Sequence, residues 1–302
     1  MEQLTSALSR IPFLRDLDAA RAVRLAGLTN VNHLLMDGDT GYVVRLPGEG
    51  TSAYIDRRVE EIAARSAAAA GVNAEVLFFD PADGLMVTRF VTGARTMDAA
   101  AFRDLDSLRL AGTAFRRLHT TASRFANEFD LFGMIDQYRS LLGSQRAVLP
   151  DGYVDLQAAA DETREALAAS PVPSVPSHCD PLCENFLDTG SRMFIIDYEY
   201  AGNNDPMWDL ADLSVEGSFD ERQEEILLSS YLGRAPTDAQ RGRFVAYKAL
   251  CDLLWTLWGV IQHVNDNPAE DFWAYAVGRF ERARALMSDQ AYPEHIAALR
   301  RS

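Results

Sequence analysis

The residues best suited to chemistry lie between positions 178 and 197. Asp180 follows His178 by two residues, and Asn185 follows Asp180 by five, with Pro181 between them to restrict the backbone. A tight loop with this spacing brings a carboxylate and an amide to one place. The carboxylate can orient a hydroxyl group and accept its proton, and the amide oxygen suits a hard divalent cation.

A second carboxylate follows at the end of a predicted strand. Asp188-Thr189-Gly190-Ser191 is a strong turn signal between two short apolar segments, 185–187 and 193–196, and predicts a hairpin. Asp197 ends that hairpin, so we expect it close to Asn185, with Glu199 as an extra acid two residues further on. Carboxylate, amide and phosphate oxygens are the ligands that Mg²⁺ prefers. A surface turn is the alternative interpretation of the loop taken alone.

The spacing of Asp180, Asn185 and Asp197 resembles the catalytic loop of protein-kinase-like phosphotransferases. Around this loop the chain resembles the bacterial branch of the choline/ethanolamine kinase family, within the aminoglycoside-phosphotransferase-like group. The phrases that carry the resemblance are Ile196-Asp197-Tyr198-Glu199-Tyr200-Ala201-Gly202, Asn204-Asp205-Pro206 and Trp208-Asp209-Leu210. The likeness extends, more weakly towards both ends, from about residue 25 to about residue 273.

The resemblance implies roles for the residues of this central stretch. Asp180 is implied as the catalytic base, and Asn185 and Asp197 as ligands of Mg²⁺, with Glu199 assisting through the metal or its waters. Two further residues are implied as structural supports of the loop, namely His178 and Asp209.

The resemblance also places nucleotide-binding residues in the N-terminal part. Gly27-Leu28-Thr29-Asn30 resembles the loop that covers the nucleotide, and Arg45 stands where a basic residue pairs with phosphates. Glu60 is the implied partner of Arg45, with Glu61 as the alternative and a solvated acidic helix face as the structural interpretation. Lys248 is the one lysine among 29 basic residues, which favours arginine for the phosphate role. The expected hinge for the adenine ring is Arg89-Phe90-Val91.

The acceptor side is expected on a leucine-rich helix. Trp255 and Trp258 are three residues apart and project on neighbouring parts of it. In choline/ethanolamine kinases such a pair forms aromatic walls that hold a quaternary ammonium by cation–π attraction, and Glu216 resembles a glutamate of the same pocket. Ordinary core packing is the alternative for the tryptophans. The aromatic residues expected to complete the cage follow in the chain: Phe272, Trp273 and Tyr275.

The pattern of apolar residues predicts an α+β protein with two lobes and, by resemblance, a protein-kinase-like fold. A small N-terminal nucleotide-binding lobe, residues 1–91, is expected to contain a five-stranded antiparallel sheet and one long helix. A larger, mainly helical lobe, residues 92–302, is expected to carry catalysis and substrate binding. The predicted strands fall within 25–46, 74–79 and 85–91. The predicted helices fall within 1–24, 55–70, 98–119, 131–142 and 155–169, and again after Asp209, including 226–232 and 244–261.

Bulk properties narrow the possible partners and location. The net charge of −15 disfavours nucleic acid, whose phosphates would be repelled, and suits a cationic small molecule. No apolar run is expected to approach the length needed to span a membrane, and the N-terminus lacks a signal-peptide pattern. Three cysteines do not make a disulfide framework, so a reducing cytoplasm is expected.

The sequence therefore predicts an ATP- and Mg²⁺-dependent phosphotransferase whose acceptor is the hydroxyl of a small amino alcohol, choline or ethanolamine. An aminoglycoside or sugar kinase is the first alternative, since it would share the loop. An inactive, nucleotide-binding regulatory protein is the second.

Overall fold

A five-stranded antiparallel sheet forms the N-terminal part of the computed structural model, which describes residues 2–25, 30–48 and 55–301. The strand order is β1-β2-β3-β5-β4, and β2 and β3 form a hairpin in which Asp37 lies opposite Thr40. The strands are β1 (Val23–Arg24), β2 (Val31–Asp37), β3 (Thr40–Leu46), β4 (Val76–Asp80) and β5 (Leu85–Arg89).

One helix packs on each face of this sheet. Helix α1 (Glu2–Ser9) buries its apolar side against Val44 and the residues that face the same way. Helix α2 (Arg57–Ala69) begins at Asp56, whose side chain accepts from the amide of Arg58, and covers the opposite face. Because side chains alternate along a strand, Arg45 of β3 points to the α2 face.

The C-terminal part is mainly helical and is built around one long helix, α8 (Asp238–Val264). This helix packs against α6, α9 and α10. The remaining helices are α3 (Leu105–Thr121), α4 (Leu131–Ser144), α5 (Tyr153–Ala169), α6 (Pro206–Glu216), α7 (Glu221–Leu232), α9 (Phe272–Met287) and α10 (Tyr292–Leu299).

Two short antiparallel sheets frame the central loop. The predicted hairpin is confirmed as β8 (Phe186–Asp188) and β9 (Met193–Ile195), joined at its edge by β6 (Arg95–Thr96). Strand β7 (Val175–Ser177) leads into the loop and pairs with β10 (Gly202–Asn204), which follows the segment that carries Asp197. The loop is thus anchored at both ends by strand pairing.

The expected α+β class is confirmed. The pattern missed the short strands β1, β6 and β10 and the helices α9 and α10. One expectation was wrong, because α8 is long and apolar enough to span a membrane by length and composition. In the structure 78% of its most apolar window is buried inside the protein, as expected for a core helix.

Candidate active site

Asp209, at the start of α6, holds the loop that carries Asp180. Its Oδ2 accepts a hydrogen bond from the backbone N–H of His178, and its Oδ1 accepts one from that of Cys179, both at 2.8 Å. His119 lies with Nε2 at 3.0 Å from the same carboxylate, and its other ring nitrogen meets Tyr231. Since Asp209 is fully buried, these contacts satisfy a charge that would otherwise be costly. Asp209 therefore lies where a residue that supports the loop was expected.

His178 ties the loop to the hairpin. Its imidazole is fully buried and its Nε2 lies 2.8 Å from the carbonyl oxygen of Ile196, the residue before Asp197. Burial lowers the pKa of this imidazole, so the neutral ring donates Nε2–H to the carbonyl. The ring also packs on Tyr198 with centroids 4.7 Å apart. His178 therefore fixes the distance between the catalytic loop and the second acid.

Two residues of the site have a left-handed backbone conformation. Cys179 has φ +67° and Asp197 has φ +70°, which for a residue other than glycine costs roughly 1–2 kcal/mol. The carbonyl of Cys179 accepts from the indole N–H of Trp208 at 3.1 Å, and its amide is held by Asp209. The surrounding contacts thus maintain a backbone that the chain would not adopt alone.

The three residues first singled out from the sequence meet at one place. Asn185 accepts a backbone hydrogen bond from Ile196 at 2.9 Å, which brings it beside Asp197 at the end of the hairpin. The side-chain amide of Asn185 donates to the carbonyl of Asp180 at 3.1 Å, so its oxygen is the atom left for a cation. The carboxylates of Asp180 and Asp197 influence one another electrostatically.

Asp197 and four buried charged side chains form a set here called the ion cluster: Arg45, Arg57, Glu60 and Glu199. Arg45 contacts Glu60, the partner expected for it, and lies 3.2 Å from Asp197. Arg57 contacts Glu60 at 2.7 Å and Glu199 at 2.8 Å. Sequence reasoning gave Arg57 no role, although its place three residues before Glu60 on one helix face was a usable signal.

The ion cluster has the donor groups that a divalent cation needs. Oxygen atoms of Glu60, Asp197 and Glu199 lie within 4.8 Å of one another. Burial first, and then repulsion by Glu199, raise the pKa of Asp197, and a cation would relieve this crowding of acids. Both oxygens of Glu199 already accept hydrogen bonds, from Asn30 at 2.5 Å and from Arg57. Asn185 and Asp197 therefore fit Mg²⁺ best, and direct ligation by Glu199 stays a prediction.

The expected nucleotide loop is only partly described. Leu28 and Thr29 lie outside the described residues. Asn30 is buried, and besides its bond to Glu199 it accepts from the backbone N–H of Gly48 at 3.2 Å. Asn30 therefore links the end of the loop to the ion cluster.

The expected adenine hinge already makes hydrogen bonds to its neighbours in the fold. The amide of Phe90 donates to the carbonyl of Gly41 at 3.0 Å, so it is already used within the sheet region. Arg89 pairs with Glu75 at 3.2 Å and lies over the ring of Tyr42. The carbonyl of Val91 accepts from the amide of Ala94 at 3.3 Å, and the role of Arg89-Phe90-Val91 as the adenine hinge stays a prediction.

Asp180 faces a different environment on its other side. Its pKa is raised to about 7, first by burial and then by the nearby charges of Glu216 and Glu199. Glu216 forms an ion pair with Arg279 at 2.5 Å, and Arg279 also lies 3.3 Å from Asp252. Arg279 and Asp252 were not singled out from the sequence, although charged residues within the apolar patterns of α8 and α9 were a signal.

Five aromatic rings, here called the aromatic cluster, lie on this side. Trp255 and Trp258 meet edge to face with centroids 6.0 Å apart, and Tyr200 meets Trp255 in the same way. Phe272 and Tyr275 of α9 lie 5.5 and 5.8 Å from Trp258. Burial raises the pKa of the Tyr275 hydroxyl, the charge of Arg279 lowers it, and the charges of Glu216 and Asp180 add to the rise. The cluster therefore lies beside the expected base.

Trp273 does not take the position expected for it. Its ring packs on His263 with centroids 5.5 Å apart, whereas Phe272 and Tyr275 provide the α9 side of the cluster. The reason is helical geometry, because residues 272 and 275 share a face of α9 that residue 273 does not. Gly259 allows the close approach of the two helices: a Cβ there would lie 2.7 Å from the ring of Tyr275.

Comparison with known proteins places the chain in a family. The family model of choline/ethanolamine kinase matches residues 25–247. The crystal structure of a choline/ethanolamine kinase family protein from Mesorhizobium loti is 49% identical, with a TM-score of 0.93, covering 100% of this chain and 99% of that one. Choline kinase LicA from Streptococcus pneumoniae is 29% identical, with a TM-score of 0.80, over 95% and 98% of the two chains. A structure of LicA in complex with AMP is 30% identical, with a TM-score of 0.71, over 88% and 91%.

More distant structures share the fold alone. An aminoglycoside 2′-phosphotransferase is 15% identical with a TM-score of 0.71, over 97% of this chain and 99% of that one. The expected protein-kinase-like fold is therefore confirmed. With the match over most of its length, the chain belongs to the choline/ethanolamine kinase family and is a phosphotransferase that acts on an alcohol group of a small molecule.

Proposed function

We propose that this enzyme transfers the terminal phosphoryl group of ATP to the hydroxyl of a small cationic amino alcohol, choline or ethanolamine. The observation that supports this acceptor is the aromatic cluster beside Asp180. Ring faces attract an ammonium group by about 0.5–2 kcal/mol each when water is excluded. Trp255 is almost fully buried and Trp258 is half-buried, so the cluster combines a ring shielded from water with a ring that solvent can reach.

The charges near the cluster favour a small monocation. Glu216 adds negative charge, but Arg279 shares that charge through its ion pair. A polycationic acceptor would need several free acids, whereas a quaternary ammonium needs few, because it has no N–H group to satisfy. We therefore expect choline to be a better acceptor than ethanolamine.

Asp180 would act on the hydroxyl of the bound amino alcohol. A carboxyl group with a pKa near neutrality is suited to accept a proton at the moment of transfer. Its loop is held by Asp209 and His178, so the hydroxyl would be oriented by a fixed group, and positioning supplies much of the rate in this chemistry.

In the ion cluster, Arg45 and Arg57 would contact the phosphates or hold the acidic side chains of the cluster in place. Asn185 and Asp197 would hold Mg²⁺, which when bound neutralises charge on the transferred phosphoryl group. The complex of LicA with AMP supports a nucleotide as the donor. We assign residues 1–91 to nucleotide binding and residues 92–302 to catalysis and acceptor binding, in a cytoplasmic enzyme without a nucleic-acid partner.

An acceptor panel tests the proposal. The protein is incubated with Mg-ATP and choline, ethanolamine, an aminoglycoside or a simple sugar, and products are identified by mass. We expect phosphorylated choline to form fastest, with ethanolamine second. Transfer to the aminoglycoside or sugar alone would overturn the proposed acceptor. Absence of transfer to every acceptor would instead favour a regulatory, nucleotide-binding protein.

A further inference from the structure

A groove of about 420 Å³ lies away from the residues assigned to transfer, where α2 ends and the hairpin β8–β9 turns. Its lining includes Gly71 and Asn73, which follow α2, and Arg192 and Phe194 from the hairpin. None of these residues belongs to the ion cluster or the aromatic cluster. The groove therefore needs an explanation of its own.

Two guanidinium groups meet at Gly71 on the edge of this groove: Arg192 lines the groove, and Arg117 of α3 lies near the same glycine. A Cβ at Gly71 would lie 2.5 Å from Nη2 of Arg192 and 3.2 Å from Nη2 of Arg117, so both groups converge on one point. Gly71 has φ +70°, and the missing side chain leaves room for the two cations. Burial first, and then the charge of Arg117, lower the pKa of Arg192. Like charges have thus been brought together on a protein whose net charge is −15.

Both arginines are held in place. The Nε–H of Arg117 donates to the carbonyl of Ala70 at 2.5 Å, and the guanidinium of Arg192 lies 4.5 Å from the ring centroid of Phe194. These contacts leave terminal N–H groups on each arginine. Both side chains are exposed to solvent, so a ligand can reach them, and the contact that each one makes restricts it before a ligand binds.

The other charges at the groove are already paired. Arg65 contacts Glu61 at 2.9 Å, and Glu75, an acid on the lining, pairs with Arg89 at 3.2 Å. Within the described part of the chain, Arg117 and Arg192 form no ion pair with a carboxylate. The net excess of charge in the groove is therefore positive and belongs to these two side chains.

We propose that this groove binds a phosphate-type dianion between Arg117 and Arg192. A phosphate group has several acceptor oxygens, and paired guanidinium forks bind such oxygens by charge-assisted hydrogen bonds. A bound dianion would also remove the repulsion between the two arginines. Inorganic phosphate and a phosphorylated small molecule share this chemistry, and the two sources are separated by the test below.

The site would touch elements that also position the active site. Val72, directly after Gly71, accepts a backbone hydrogen bond from Ile195 at 2.9 Å, two residues before Asp197. Helix α2, which ends at the groove, carries Arg57 and Glu60 near its other end. A dianion would therefore join the end of α2 to the catalytic hairpin and to α3.

Binding can be measured at the groove itself by nuclear magnetic resonance of the isotopically labelled full chain. Inorganic phosphate, pyrophosphate and phosphocholine are titrated separately at constant ionic strength, with sodium chloride as the reference. The readouts are the amide of Gly71 and the Nε–H signals of Arg117 and Arg192. We expect saturable shifts at these atoms with inorganic phosphate. Tighter binding of phosphocholine than of inorganic phosphate would identify a phosphorylated small molecule as the ligand of the groove, and weaker binding would identify inorganic phosphate.

Variants decide whether the two arginines form the site. In the double variant Arg117→Ser, Arg192→Ser we expect binding to weaken at least ~10-fold, and ~3-fold in each single variant. Arg103→Ser, which removes an exposed arginine elsewhere, should leave it unchanged. Equal saturation in the double variant, or shifts in the wild type no larger than those with chloride, would overturn the proposal. Since no step measures phosphoryl transfer, failure here leaves the proposed kinase function untouched.

Discussion

The ion cluster and the aromatic cluster both lie near Asp180 and are built in different ways. In the ion cluster, charged groups from β3, α2 and the segment after the hairpin meet across long sequence separations. In the aromatic cluster, rings come mainly from two consecutive helices, α8 and α9. One side thus depends on the pairing of two parts of the chain, and the other on a local helix contact.

One short segment contributes to both sides. Asp197 and Glu199 join the ion cluster, whereas Tyr200 joins the aromatic cluster and Tyr198 packs on His178 in the core. In the proposed function, this segment would set the separation between the donor phosphates and the acceptor. The difference between the sides indicates that substitutions in one should leave binding at the other nearly intact.

The largest effect on catalysis is expected from a substitution of Asp180, which lies near both clusters. Asp180→Asn removes the group that accepts the proton, so kcat should fall by ~10³-fold or more, while ATP and amino alcohol still bind. Steady-state kinetics and calorimetric titration with ATP measure the two quantities. Glu184→Gln, an exposed acid in the same loop, is the matched control and should retain full activity. An active Asp180→Asn enzyme would refute the role of this residue.

Arg57→Met should damage the ion cluster alone. It leaves Glu60 and Glu199 buried with one partner fewer, at a cost of about 3 kcal/mol in the free energy of unfolding. We expect kcat/KM for ATP to fall ~10- to 100-fold, with the KM for the amino alcohol little changed. Urea unfolding and kinetics with each substrate varied test this, and Arg57→Lys should recover part of both losses. Equal losses for both substrates would contradict the separation of the two sides.

Trp258→Ala should damage the aromatic cluster alone. Loss of this ring should raise the KM for the amino alcohol about 10-fold and change the KM for ATP less than about twofold. Trp273→Ala is the matched control, because that ring lies on His263, and it should leave both constants within about twofold. If Trp273→Ala had the larger effect on the acceptor, the position of the cage would be wrong.

The smallest effect on catalysis is expected from a substitution of His119, which supports the loop of Asp180 through Asp209. His119→Gln weakens one contact of Asp209 but keeps the two backbone hydrogen bonds to the loop. We expect a loss of about 1 kcal/mol in unfolding free energy and a fall in kcat of about threefold, with both KM values unchanged. A selective rise in either KM would show that the loop serves one side more than the other.

The loop and the hairpin could be predicted because their information is local. The spacing of Asp180 and Asn185, the turn at 188–191 and the strand that ends at Asp197 all lie within 20 residues. The same holds for Trp255 and Trp258, whose helical spacing places them side by side.

Long-range contacts could not be derived in the same way. The pairing of Arg45 with Glu60 was expected by family resemblance alone, and the contact of Arg57 with Glu199 spans 142 positions without any periodic signal. The strands β1, β6 and β10 have two or three residues, too few for an alternating pattern. Trp273 was misplaced because three neighbouring aromatic residues gave no indication of which helix face turns inward.

Gly259 sets the separation of α8 and α9 at the aromatic cluster, where we propose that the acceptor binds. Its bare Cα lets α9 lie against α8, and the ring of Tyr275 rests where a methyl group would otherwise be. The distance between the backbones of α8 and α9 therefore sets the width of the aromatic cluster, one residue away from Trp258. We therefore expect a substitution at Gly259 to change which ammonium groups the cluster accepts, without any change to its rings.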